Sequence, residues 1–132
     1  MLLLVNLLFS LLFGQPEQKF ATVVIFQAGT YGRHQFDLIV EDQPLMEPMK
    51  RNTSVEFKVP AGDVDIRTEK TRYLQDSGHY VIEVEEGNTY YLQAEIAYEF
   101  PKTIMRLSVV NSNAYKKVEK KLTKISKDLL NE

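Results

Sequence analysis

The sequence contains no cysteine and no tryptophan, and its 132 residues include only two histidines, six glycines and five prolines. Without cysteine there is no disulfide framework, no thiol nucleophile, no thiolate metal site and no leader cysteine to carry a lipid. Two histidines leave little from which to build a zinc centre. Neither charge sign prevails, since 16 Lys+Arg stand against 18 Asp+Glu for a net charge of -2, and an acidic balance speaks against nucleic acid as a partner. There is no Gly-x-Ser-x-Gly elbow, phosphate loop or dinucleotide fingerprint, and the run from Gly29 to Gly32 lacks the pattern that would flank one. What is present is an ordinary folded balance: 44% apolar and 26% charged residues, in a length that suits one domain.

Residues 1–14, MLLLVNLLFSLLFG, form an uncharged apolar run that Gly14, Gln15 and Pro16 end. A spanning helix needs roughly 20 such residues, whereas this length suits the apolar core of a signal peptide. The run therefore reads as an export signal, with the mature chain starting near Gln15. It has no basic residue at its start and carries Leu12 where a small residue is preferred before the cut. The alternative is a buried first strand or short core helix.

From Phe20 the dominant signal is alternation with period two, which places one set of side chains on each face of a strand. Residues 21–27, ATVVIFQ, are β-branched and apolar on both faces and predict a strand placed centrally or under the other sheet. Phe36, Leu38 and Val40 mark a half-buried strand. Val55, Phe57 and Val59 mark another, and Pro60, Ala61 and Gly62 then turn the chain into Val64, Ile66 and Thr68, which predicts a hairpin. A second hairpin is expected around Glu86, Gly87 and Asn88, with Tyr80, Ile82 and Val84 facing in, followed by Tyr90, Leu92, Ala94, Ile96 and Tyr98. Met105, Leu107 and Val109 close the series. The predicted fold is all-β: an antiparallel seven-stranded β-sandwich over residues 20–110.

The tail changes period. Tyr115, Val118, Leu122, Ile125 and Leu129 are spaced three and four apart, which predicts an amphipathic helix over 112–131 capped by Ser112. Its other face carries six lysines against Glu119, Asp128 and Glu132, so this segment is +3 and the remainder -5.

Candidate chemistry is sparse. His34 and His79 each adjoin a turn, and with Arg33 they are candidate binding residues; neither histidine has a partner at metal-ligand spacing. Asp63 with Asp65, and Glu83 with Glu85, share outer strand faces where acids keep a sheet solvated. Tyr91 falls on the outer face of its strand, where an aromatic ring can stack a sugar or anchor a partner. Lys117, Lys120, Lys121 and Lys124 are candidate contacts to an anionic surface or acidic partner. No catalytic residue, metal ligand or cofactor is assigned.

The order of pieces resembles a family of small bacterial cell-envelope β-sandwich domains of unknown function, many of them lipoproteins. The resemblance rests on Ala21 to Phe26, the strand ending Glu41-Asp42, the turn Val59 to Gly62, the run Val84 to Leu92, and Leu107 to Val110 leading into a charged helix. It implies an immunoglobulin-like or prealbumin-like sandwich in the periplasm or outside the cell, and brings no catalytic residues. This chain departs from the pattern at Gln15, where a leader cysteine would stand, and at Asp42-Gln43-Pro44, where an Asp-Gly turn is usual.

Three functions follow as expectations. The first is an exported, non-enzymatic binding or structural module acting on an envelope protein, glycan or anionic surface, as a monomer or weak homodimer. The second is a small carbohydrate-active or hydrolytic enzyme using acids with a histidine, which requires those side chains to converge. The third associates with a membrane surface through the lysine-rich helix, which requires Leu122, Ile125 and Leu129 to be exposed.

Overall fold

The alternation seen in the sequence becomes nine strands in a computed structural model that describes residues 19–28, 35–45, 48–69, 77–99 and 102–127. They are β1 (Phe20–Gln27), β2 (Asp37–Val40), β3 (Gln43–Pro44), β4 (Thr53–Pro60), β5 (Gly62–Glu69), β6 (Gly78–Val84), β7 (Thr89–Glu99), β8 (Lys102–Val110) and β9 (Thr123–Lys127). Between β8 and β9 lie a helix, α1 (Ser112–Val118), and one turn of 3₁₀ helix (Glu119–Lys121). The strands form a five-stranded sheet of order β8-β7-β1-β4-β9 and a four-stranded sheet of order β3-β2-β5-β6. Their inner faces share one core, in which Val23, Ile25, Phe57 and Leu92 of the larger sheet meet Leu38, Val40, Val64 and Ile66 of the smaller.

Three expectations need correction. The sandwich is not wholly antiparallel or seven-stranded: β1 runs parallel to β7, and β4 parallel to β9. The turns at Pro60–Gly62 and Glu85–Asn88 are real, with Gly62 at φ 125 and Gly87 at φ 79, yet neither makes a hairpin. Each carries the chain from one sheet to the other, so that β4 and β5, and likewise β6 and β7, lie in different sheets. Paired hairpins occur instead at β2–β3, β5–β6 and β7–β8. Alternation and turn chemistry fix where a chain reverses, but a strand that buries its inner face against its predecessor shows the same pattern as one that pairs with it.

The third correction concerns the tail. The helix ends at Val118 instead of continuing to residue 131, and its N-cap is Asn111, whose side chain accepts a hydrogen bond from Ala114 N at 2.9 Å. Thr123 and Ile125 are β-branched and weak helix formers, and the open edge of β4 offers their backbone a ladder from Thr53↔Thr123 to Phe57↔Lys127. Period two is also present there, with Ile125 packed against the sandwich core between outward Lys124 and Ser126. Leu129 lies outside the described residues.

Two local devices position the sheets. The β2–β3 turn is of type I′ with Glu41 and Asp42 at φ 50 and 63, a conformation costing about 1–2 kcal/mol for each residue with a side chain. It is held by Glu41 N donating to Asp65 O at 2.9 Å, by Asp65 N donating to Glu41 Oε1 at 2.8 Å, and by Arg67 Nη2 donating to Asp42 Oδ1 at 2.8 Å. At the opposite edge, Thr68 Oγ1 and Tyr80 OH both donate to the Met105 carbonyl, at 2.9 and 3.0 Å. These bonds tie edge strand β8 to the smaller sheet.

Candidate functional site

β1 is central in the larger sheet, one of the two placements its sequence predicts, and is buried on both faces. The second cover comes from the C-terminal segment. Val24, Phe26, Tyr115 and Leu122 form a small buried cluster on the outer face, with Tyr91, Val110 and Val118 packed against it.

Two rungs of neighbouring residues cross this face. The first runs Val110, Tyr91, Val24, Glu56, Ser126, and the second Ser108, Gln93, Phe26, Ser54, Lys124. Val110, Tyr91, Val24 and Phe26 thus form an apolar and aromatic patch flanked by Gln93 and Ser108, and the β4–β9 half is polar. Tyr115 descends from α1 onto the border between them. Its ring meets Phe26 edge-on at 5.1 Å and Tyr91 at 5.0 Å with a 30° tilt, and its hydroxyl lies 3.3 Å from Ser54 Oγ. Beside these groups is a cavity of about 180 Å³ lined by Val24, Tyr91, Ser54, Tyr115, Glu56 and Ser126 and bordered by Glu119 and Lys124. Lys124 donates to Glu119, and that hydrogen bond holds its ammonium above the usual 10.5.

The hydroxyl pair has a proton to spare. Ser54 and Tyr115 are 2% and 7% exposed, and among the described residues their polar side-chain atoms bond only to one another. One hydroxyl donates and the other accepts, so the acceptor's own proton is left for whatever fills the cavity.

Of the residues singled out in the sequence, Tyr91 and Lys124 thus come together at one site. Lys117, Lys120 and Lys121 are exposed on the helix and the 3₁₀ turn. Leu122 is buried on the sheet and Ile125 packs against the core, so the apolar stripe that a membrane-bound helix would present is spent internally up to that point. Arg33 and His34 lie outside the described residues. His79 is far from Tyr91, on the outer face of the other sheet, where its Nε2 lies 2.6 Å from Asp65 Oδ2. Asp65 is also 4.0 Å from Arg67 Nε, and Ser77 Oγ donates to Glu69 at 3.1 Å beside them. Among the described residues no three ligating side chains converge as a metal site. Ser54, Glu56 and Tyr115 were not singled out, because a serine on an alternating strand reads as solvent-facing until a roof is known to cover it.

A second cleft, of about 310 Å³, opens between the β2–β3 turn and the β4–β5 connection. Its floor is Val40 and Val59, both buried, and Glu41, Lys58 and Asp63 on its rim are exposed. It lacks a buried polar group awaiting a partner.

Fold and site together define a two-sheet, mostly β protein with a polar cavity on the outer face of its larger sheet, beneath the C-terminal segment. No family model matches the chain, and no curated protein or solved structure matches it either.

Proposed function

We propose that the protein is an exported, non-enzymatic binding module of the bacterial cell envelope, whose binding face is the outer face of the five-stranded sheet beneath α1 and the 3₁₀ turn. The observation that carries the binding half is the cavity beside Ser54 and Tyr115, where a buried hydroxyl proton has no protein acceptor among the described residues. Small-molecule sites are built in this way, from an apolar wall and a few convergent polar groups. The export half rests on the apolar run of residues 1–14 and on the resemblance to envelope domains, for which an immunoglobulin-like or prealbumin-like sandwich is the finer fold assignment. The two arched connections between sheets support that assignment.

The test is to express the chain from its own start codon in a bacterial host and to measure intact mass and fractionation. A product starting near Gln15 in the periplasm or medium is expected, and an uncut cytoplasmic product would overturn the envelope reading. The enzymatic alternative draws support from the His79–Asp65 contact at 2.6 Å. Cleavage of a chromogenic ester or glycoside by the same product, abolished in His79→Ala, would overturn the non-enzymatic half.

A further inference from the structure

We infer that the cavity beside Ser54 and Tyr115 takes a single neutral sugar ring, an inference that rests on the binding face proposed above. Four features select this class of ligand.

Size is the first. At about 180 Å³ the cavity is smaller than the roughly 300 Å³ at which pockets for drug-sized ligands begin, which suits one ring and not an extended chain. Charge is the second. Glu56 and Glu119 stand on one side of the charge balance and Lys124 on the other, all at the same cavity. Either sign of ligand therefore meets a like charge, and an anion would also have to break the Lys124–Glu119 bond to reach the ammonium. A neutral ligand meets neither obstacle.

Hydrogen-bonding capacity is the third. Glu56 accepts only, the Ser54–Tyr115 pair has a donor left over, and Ser126 can do both. A ring bearing several hydroxyls, each able to donate and accept, matches such a mixed set better than a ligand with donors or acceptors alone. The fourth is the adjoining wall. Tyr91, Tyr115 and Val24 line the same cavity, and an apolar surface beside polar groups suits the C–H face of a sugar. The two rungs place this wall and the polar half side by side by register.

The experiment is an amide NMR titration of the full chain with D-glucose, D-galactose, D-mannose and N-acetyl-D-glucosamine. Glucosamine and glucose 6-phosphate serve as cationic and anionic controls, alongside a mixed library of non-sugar fragments. The expected result is saturable shifts at residues 54, 56, 91, 115 and 126 with at least one neutral sugar. Affinity should fall at least tenfold in Glu56→Ala, whose exposed side chain is not needed for packing. The double variant S54A/Y115F should weaken binding as well, with its thermal unfolding recorded to confirm that it folds. If only a charged control or a non-sugar fragment shifts those amides, the ligand class is overturned and the binding face stands. If sugars shift amides elsewhere, or nothing shifts these, the inference falls; silence from sugars, controls and fragments together removes the binding face too.

Discussion

Gly78 opens β6 at a place where no side chain fits. A Cβ there would lie 2.6 Å from Tyr80 OH and 2.7 Å from Thr68 Oγ1, the two oxygens that donate to the Met105 carbonyl, while Gly78 N itself donates to Thr68 Oγ1 at 3.1 Å. Both clashing groups are held in place by those bonds, so neither can step aside without releasing β8. Gly78→Ala is expected to destabilise the fold by about 1–3 kcal/mol, seen as a lower urea midpoint at unchanged slope. Tyr115 plays the corresponding part on the other side of the molecule, joining Phe26, Tyr91 and Ser54 through one side chain. Neither role is visible in the sequence, where Gly78 belongs to the turn that His79 adjoins and Tyr115 is one apolar position of a helix.

Among the elements, β9 is an edge strand supported by one neighbour. Its five residues pair with β4 alone among the described strands. Removing residues 123–132 should therefore speed hydrogen exchange at those β4 amides that face β9 and leave the amides paired with β1 protected, as measured by NMR. Equal protection on both sides would show that β9 contributes nothing to the sheet. Seven of the nine strands were legible from alternation while β3 and β9 were not, and β1 was legible as a central strand because Val24 and Phe26 are as apolar as Val23 and Ile25. Pairing was not legible. Pro60–Gly62 and Glu86–Asn88 carry the same turn chemistry whether the next strand bonds to the last or crosses to the facing sheet. The tail failed for a related reason: Tyr115, Val118 and Leu122 do keep helical spacing onto the sheet, but nothing local announces that β4 has an edge to offer Thr123 and Ile125. For the candidate site, Tyr91 and Lys124 could be read from an outward register and a lysine-rich face, whereas Ser54 and Glu56 acquire meaning only once the roof is in place.

At the scale of the whole molecule, the larger sheet is closed by pairings between distant parts of the chain. β1 meets β7 across Thr22↔Thr89, and β4 meets β9 across Thr53↔Thr123. Such non-local order slows folding, because loops must close before their contacts form. Refolding after dilution from urea is expected on about the millisecond-to-second scale, and a microsecond phase carrying the full fluorescence amplitude would contradict the topology. The position of β9 in the chain adds an order of events. While the protein is being synthesised, the edge of β4 stays bare until residue 127 has been made, and only then do the five residues Thr53 to Phe57 gain a partner and the cavity its β9 wall. A chain cut short before β9 by premature termination or proteolysis would keep this edge open to other strands, so the β4–β9 pairing tells a chain that carries this strand from a fragment that has lost it.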